Sequence, residues 1–427
     1  MAGDLVSTIQ ELRKQVYDDH LQEDVPKASP ASQMFLTKAR KFDLGGLGLN
    51  AKMAIRNATG VGFSTLTEGA AYPTAGFQSA VTPVVTCAHF AATVRWSGHV
   101  EAMGTSKEAS FQRGTVIKQN LMDLKEEIKK YIARMIMWDG TSILGTTAAA
   151  SGTTGGYITL ASGSAPIHFF EAGQYLTLRT ASSGGTEKLT NAATGAGRIL
   201  QVRTDTSPPQ IVLTDATGAT AGGGDYVAWL NVYDTTVISG LREWVKNTGT
   251  FMGLDRATGA NAALRSFLYD SGGAALQPTD ADHLRDTIND FQGLRGEYST
   301  TWLGSRRTRR SLTATTLGQV RFNKLSTQEV GTNSMTVNDK DGPKDFMADQ
   351  YCLDTELFAI DPTKVCYGAP EGMEGARMVE HNGSSVFLGL ATTIHADFKL
   401  SYATWRGNFG MDECRAAGKR YNYTPVT

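Results

Sequence analysis

The residues best suited to catalysis or metal binding are scattered along this sequence. It contains seven histidines and four cysteines, and none of the cysteines (Cys87, Cys352, Cys366 and Cys414) forms a CxxC pair. A zinc site or a disulfide framework usually shows close cysteine spacing, so neither is expected. No HExxH, Walker A, GxSxG or GxGxxG motif occurs. We predict no catalytic residues, no metal site and no cofactor, with an enzyme built on a cluster formed only in three dimensions as the alternative.

Four arginines form the densest charge feature of the sequence. They are Arg306, Arg307, Arg309 and Arg310. Ser305 precedes them and is a favourable N-cap residue, so the pattern predicts a helix over residues 306–314. Guanidinium groups on one short helix can bind phosphate or the carboxylates of a partner. The alternative is an ordinary solvent-exposed helix face.

Residues 337–342 (VNDKDG) resemble a calcium-binding loop. In that register the first and twelfth ligands would be Val337 and Ala348, and neither side chain carries an oxygen atom. We therefore interpret the segment as the polar tip of a hairpin.

The overall composition is that of a folded protein with an unusually plain surface. The chain has 427 residues, of which 41% are hydrophobic and 19% charged, and its net charge is -1. Soluble proteins average about 25% charged residues. The near-neutral balance excludes a globally basic nucleic-acid coat and a disordered polyelectrolyte. A surface with few charges suits contacts between subunits, although a loop-rich β protein would show the same composition.

The first third of the chain alternates between helical and extended patterns. Residues 4–18 predict a short amphipathic helix, and two prolines in residues 24–33 predict an extended segment. Strand-like patterns at residues 79–85 and 91–100 predict one extended hairpin arm that is too small to be stable alone. Residues 106–139 predict a long helix. Its apolar residues recur at intervals of four and three: Ile117, Leu121, Leu124, Ile128, Tyr131 and Met135.

Composition changes abruptly at Gly140. Five short apolar runs follow, each bounded by glycine, serine or proline, at residues 157–160, 175–178, 199–202, 211–213 and 226–229. They predict a small inserted all-β module, either a barrel or a sandwich. The remainder is mixed, with a helix at residues 281–294 and strands at residues 298–303, 356–362, 386–390 and 396–405.

The order of these segments resembles the major capsid proteins of tailed bacteriophages, which share the Hong Kong 97 (HK97)-like fold. In that fold an N-terminal arm, an extended hairpin called the E-loop, a long spine helix and an axial domain follow one another. Residues 68–73 (EGAAYP) are similar to an E-loop, and residues 284–310 and 357–362 are similar to an axial domain. The resemblance covers nearly the whole chain except the β module, and it depends on the order of the parts.

The resemblance implies an α+β fold of the HK97-like type with an inserted all-β module. The implied parts are an N-terminal arm (1–56), an E-loop hairpin (57–105), the spine helix of the peripheral domain (106–140), the β module (141–236), the axial domain with parts of the peripheral domain (237–385) and C-terminal peripheral strands (386–427). The implied inter-subunit contacts are made by the E-loop residues Glu68, Tyr72, Pro73, Phe77, Arg95 and Trp96. The spine packs through Ile117, Leu121, Leu124, Ile128 and Met135. Some family members cross-link through an E-loop lysine, but no lysine lies between Lys52 and Lys107, so we expect a non-covalent shell.

The resemblance also implies a function. It is that of a structural protein, not an enzyme, whose hexamers and pentamers form an icosahedral head around double-stranded DNA that they contact non-specifically. Implied further partners are a scaffolding protein, a portal and a decoration protein, with no membrane. The implied location is the virion, with assembly in the host cytoplasm. The alternatives are an encapsulin-like nanocompartment shell and another virion structural protein, such as a tail or decoration protein.

Overall fold

A computed structural model describes most of the chain. The described residues are 29–43, 50–52, 55–58, 79–97, 123–124, 126–151, 153, 155–189, 197–230, 232, 237–290, 300–317, 334–339, 342–370, 376–378, 387–388 and 398–425. Within these ranges, helices long and apolar enough to cross a bilayer are absent.

The α-helices of the described residues are α1 (Pro30–Lys38), α2 (residues 123–137, of which 125 is not described), α3 (Leu241–Trp244), α4 (Pro278–Asp290) and α5 (Arg306–Leu317). Short 3-10 helices cover Ile167–Phe169, Gly259–Leu264, Pro362–Lys364 and Cys414–Ala416.

The strands are β1 (Arg40–Asp43), β2 (Asn50–Lys52), β3 (Ile55–Ala58), β4 (Ser79–Val81), β5 (Val84–Thr86), β6 (Ala88–Ser97), β7 (Ile143–Ala150), β8 (Tyr157–Leu160), β9 (Tyr175–Arg179), β10 (Gly197–Arg203), β11 (Gln210–Leu213), β12 (Tyr226–Trp229), β13 (Thr250–Phe251), β14 (Leu254–Asp255), β15 (Phe267–Asp270), β16 (Thr301–Gly304), β17 (Ser334–Asp339), β18 (Gly342–Ala348), β19 (Glu356–Ile360), β20 (Val365–Ala369), β21 (Ala376–Met378), β22 (Phe387–Leu388), β23 (Phe398–Met411) and β24 (Ala417–Tyr421). The predicted α+β class is confirmed by this mixture.

Helix α1 begins inside the segment that the prolines predicted to be extended. Pro30 lies in the first turn, where a missing N–H breaks no helical hydrogen bond. Ser29 Oγ accepts a hydrogen bond from the Ser32 N–H at 3.1 Å, and Ser32 Oγ accepts one from the Ser29 N–H at 3.0 Å. This reciprocal capping box starts the helix. The prediction was wrong from Pro30 onward because it treated proline as a helix breaker regardless of position.

The chain divides into two compact units, of which the first comprises residues 1–52, 84–133 and 365–410. Its main sheet has the order β1-β20-β23-β21, and β22 and β6 also pair with β23. Strand β6 runs antiparallel to β23 from Ala88↔Gly407 to Ser97↔Phe398. A separate antiparallel pair joins β2 to β5. Strand β23 is therefore the hydrogen-bonding centre of this unit.

The strands predicted around residues 79–100 exist, but they do not form one hairpin. Strand β4 pairs with β3, β5 pairs with β2, and β6 pairs with β23. The sequence pattern identified extended segments correctly, but alternation of side chains does not specify a partner. Residues 98–100, where the second strand was expected to end, lie outside the described residues.

The second unit comprises residues 53–83, 134–364 and 411–427, and it contains a mixed sheet of order β15-β24-β19-β16-β18-β17. Leu284 and Ile288 of α4 are buried, and α4 packs on β24. Close packing there depends on Gly418, because an added Cβ would lie 2.8 Å from Leu284 Cδ1. Strands β17 and β18 form a hairpin closed by Asp339↔Gly342, which confirms the predicted polar tip.

The inserted β module is a closed six-stranded barrel of order β10-β11-β8-β7-β12-β9. Its buried residues include Leu144, Ile158, Leu178, Ile199, Leu213 and Val227. The sequence predicted five of its six strands and missed β7. That strand reads ILGTTAAA, and glycine and alanine are depleted in strands. Closure shows that the module is a barrel rather than a sandwich.

The chain enters and leaves the barrel at nearly the same place. The Arg242 N–H donates to the Trp138 carbonyl at 3.1 Å. Gly240 allows this approach, since an added Cβ would lie 2.2 Å from the same carbonyl oxygen. The first and last barrel strands, β7 and β12, also pair with each other. The barrel is thus an insertion that leaves the flanking segments side by side.

Candidate functional site

The residues expected to contact a neighbouring subunit lie mostly outside the described part of the chain. Glu68, Tyr72, Pro73 and Phe77 are in this category. Arg95 and Trp96 lie in β6, where their backbones pair with Leu400 and Lys399 of β23. The contact role of all six residues stays a prediction.

The described part of the long helix is packed on its apolar side. Leu124, Ile128 and Met135 are buried in α2, while Ile117 and Leu121 lie outside the described residues. Within the first unit, the ring of Tyr131 lies 4.6 Å from that of Phe90 of β6, and Phe90 lies 5.2 Å from Trp405 of β23. Burial raises the pKa of the Tyr131 hydroxyl. The rings therefore hold this helix against the β6–β23 pair.

Arg134 is a buried cation near the end of α2. Only 2% of its side chain is exposed, and its guanidinium forms an ion pair with Glu171. The guanidinium carbon also lies 5.9 Å from the ring centroid of Trp229 and 5.8 Å from that of Tyr351. Glu171 and Trp229 belong to the barrel segment, so one charge joins α2 to the inserted module. A buried cation requires such compensation, because leaving water is costly for a charge.

Two further buried charge clusters hold the second unit together. Glu356 forms ion pairs with Lys419 Nζ at 3.0 Å and with Arg242 Nε at 3.1 Å. Arg256 is fully buried, and it donates to the carbonyls of Leu264 at 2.8 Å and Trp244 at 3.0 Å. These contacts link α3, β19 and β24 and show structural rather than catalytic use of charge.

The four cysteines are buried. Burial raises the pKa of Cys414 to about 12 and also raises the pKa values of Cys87 and Cys352. A thiol must ionise to act as a nucleophile or metal ligand. Burial therefore disfavours the thiolate form of these three cysteines.

Helix α5 carries the arginine cluster and has the predicted N-cap. Ser305 Oγ accepts hydrogen bonds from the Arg307 and Thr308 N–H groups, both at 3.1 Å. Thr308 faces inward and its hydroxyl lies 2.6 Å from that of buried Tyr423. Arg307 forms an ion pair with Asp354 at 3.3 Å.

The four arginines of this cluster therefore differ in their exposure to solvent. Arg306 and Arg310 are exposed, one helical turn apart, and Arg309 is half-buried. Only part of the cluster is therefore available to a partner.

Sequence reasoning missed the aspartates of α4. Asp282, Asp286 and Asp290 are all exposed, at intervals of four residues. This spacing is a local pattern, but the prediction of the helix rested on its apolar residues alone. The buried arginines Arg134 and Arg256 were missed too, and no local pattern distinguishes them from surface arginines.

Comparison with known proteins gives similarity in structure only. The sequence matches no protein-family model and no curated protein. The structure is similar to one entitled "Cyanophage A-1(L) capsid asymmetric unit", with 14% identity, a TM-score of 0.49 and coverage of 92% of this chain and 93% of that one. It is also similar to the capsid of a native GTA particle, with 10% identity, a TM-score of 0.43 and coverage of 92% and 90%.

A third similar structure is the SrpI encapsulin complex of Synechococcus elongatus. It has 7% identity, a TM-score of 0.38 and coverage of 94% of this chain and 91% of that chain.

The Arg134–Glu171 pair makes a specific prediction about stability. Glu171→Ala removes the carboxylate from a buried guanidinium, but the Glu171 side chain is itself 36% exposed, so we expect the free energy of unfolding to fall by about 1–2 kcal/mol. Urea unfolding followed by tryptophan fluorescence measures this change. Glu127→Ala is the matched control, since Glu127 is exposed on the same helix as Arg134 and should change stability by less than about 0.5 kcal/mol. Equal effects of the two substitutions would contradict a stabilising role for the pair.

Proposed function

We propose that this chain is the major capsid protein of a tailed bacteriophage, a structural protein whose copies assemble into an icosahedral head around double-stranded DNA. The observation that carries the proposal is the order of the described elements. Short ladders of residues 50–58 with residues 79–86 come first, and helix α2 follows. The inserted barrel, the mixed sheet with α4 and α5, and the returning strand β23 complete the order. This is the order that the HK97-like fold predicts.

The ladder between β3 and β4 supports an assembly function. It joins residues 55–58 to residues 79–81, and the register shifts between Arg56 and Ala58. Ile55 of β3 is buried, and β3 packs on the 3-10 helix Gly259–Leu264, so this contact anchors one strand of the ladder within its own unit. A two-stranded ladder with so little further packing is marginal in water. An element of this kind gains order when it rests on another copy, so its folding is coupled to assembly. Many such modest contacts, repeated by symmetry, can close a shell.

The residues proposed for this contact lie between the two strands of the ladder. Glu68, Tyr72, Pro73 and Phe77 all fall between Ala58 and Ser79. We retain the six-part division given above, from the N-terminal arm (1–56) to the C-terminal strands (386–427), as part of the proposal.

The proposed partners follow from the same assembly. Copies form hexamers and pentamers, with a scaffolding protein, a portal and a decoration protein as further candidates. Packaged DNA is contacted non-specifically, and the net charge of -1 is consistent with weak contact, since affinity for DNA follows the density of positive charge. Assembly takes place in the host cytoplasm, and the product is the virion capsid.

Electron microscopy and nuclease treatment test the proposal together. We expect the purified full-length chain to form closed isometric particles. Particles isolated from infected cells should contain DNA that a nuclease cannot digest until the shell is opened. A chain that stays monomeric in all conditions would refute the shell function. Closed particles that hold a protein cargo and no protected DNA would instead indicate a nanocompartment.

A loop replacement tests the role of the segment between β3 and β4. Because β4, β5 and β6 each pair elsewhere, a deletion must spare residues 79–97. Replacing residues 59–78 with Asn-Gly should close a tight hairpin and leave a soluble, folded subunit that forms at least tenfold fewer shells. Sedimentation and circular dichroism measure the two quantities.

The matched control replaces the exposed barrel turn Ser182–Gly185 with Asn-Gly. This variant should assemble as the unmodified chain does. Normal shells from the variant lacking residues 59–78 would refute the contact role of the segment.

A further inference from the structure

Helix α4 presents a row of negative charge. Asp282, Asp286 and Asp290 are exposed and lie on one side of the helix, because residues four apart are neighbours on a helix surface. Asp286 also contacts buried Arg285 at 3.1 Å, with 61% of the Asp286 side chain exposed. The opposite side carries Leu284 and Ile288 into the core. We refer to the three aspartates as the aspartate face.

Helix α5 presents positive charge at the same spacing. Arg306 and Arg310 are exposed and one turn apart, whereas Thr308, Ser311 and Leu312 point inward. We refer to Arg306 and Arg310 as the arginine face. The two faces therefore match in spacing and are opposite in sign.

One residue of each face carries charge of the sign that its end of the helix disfavours. The N-terminus of a helix is electropositive and its C-terminus electronegative. Arg306 nevertheless begins α5, whose first turn has no acidic residue, and Asp290 ends α4, whose last turn has no basic residue. Such placement is unfavourable within the helix itself. It also strengthens the field of each face, since charge and helix dipole add.

The faces are not paired within one copy. Helices α4 and α5 are neighbours in the second unit, yet no ion pair joins the aspartate face to the arginine face among the described residues. Arg307, beside the arginine face, does bind a carboxylate, that of Asp354. The chemistry of this cluster within its own chain is thus guanidinium–carboxylate pairing.

We propose that the aspartate face of one copy binds the arginine face of the next copy in a capsomer. The inference rests on the proposed shell function and adds a specific interface to it. A contact between two different patches is heterologous, and repetition around an axis closes a ring. Arginine suits this task because its planar guanidinium binds carboxylates in a bidentate manner. Phosphate of the packaged DNA could bind the same arginines, but it would leave the matching aspartate face unexplained.

A charge-exchange experiment tests the interface. In the full-length chain, Arg306→Glu with Arg310→Glu places like charges opposite each other, and we expect at least a tenfold fall in the fraction of subunits found in shells. Adding Asp282→Arg and Asp290→Arg to the same chain makes the aspartate face net positive, with two arginines beside the retained Asp286, and so restores attraction to the introduced glutamates. We expect it to recover most of the assembled fraction. Asp286 is retained because it compensates Arg285.

The matched control is Arg198→Glu with Arg203→Glu, which makes the same charge change on exposed residues of barrel strand β10. It should assemble like the unmodified chain. The proposal is overturned if the Arg306/Arg310 variant assembles normally, or if the four-fold variant, folded by circular dichroism, stays as defective as the double variant. Normal numbers of shells with less DNA would assign the arginines to phosphate and also overturn it. An unmodified chain that forms no shells would instead refute the underlying function.

Discussion

The pairing of β6 with β23 is the interaction on which the sheet of the first unit depends. Ten residues of β6 are bound along β23, and β20, β21 and β22 pair with the same strand. The aromatic contacts of Phe90 with Tyr131 and Trp405 add side-chain packing to this ladder. Among the described strands, β4 pairs with β3. The two ends of the intervening segment, Ala58 and Ser79, are paired with each other in this ladder.

Charge serves two different purposes in the second unit. Inside it, Arg134, Arg256 and Glu356 are buried with compensating partners and fix α2, the barrel and the sheet strands in place. A buried pair of this kind adds little net stability. It disfavours other arrangements, because they would leave a buried charge without its partner. On its surface, the arginine face and the aspartate face form no ion pair with each other among the described residues, although Asp286 contacts Arg285. Rigid internal charges and open external charges together suit a subunit that must keep its shape while binding copies of itself.

The sequence predicted elements better than it predicted partners. Helix α5, with its Ser305 cap, and the barrel strand at Tyr226–Trp229 were recognisable because periodicity and capping are local properties. The strand β7 was missed because its alanines and glycine gain strand structure only from the closed barrel. The β6–β23 pairing joins residues about 300 positions apart, and no local pattern specifies it. The four-residue interval between the aspartates is present in the sequence. Its relation to the arginine face could be recognised only once the structure showed which sides of α4 and α5 are exposed.

We infer that the β6–β23 ladder is stable in a single subunit, whereas the β3–β4 ladder becomes stable only when subunits assemble. Hydrogen exchange of backbone amides, compared between free subunits and assembled shells, tests it most directly. We expect slow amide exchange in β6 and β23 in both states. In β3 and β4, we expect the exchange rate to fall at least a hundredfold on assembly. Equal protection of β3 and β4 in the free subunit and in the shell would contradict the account.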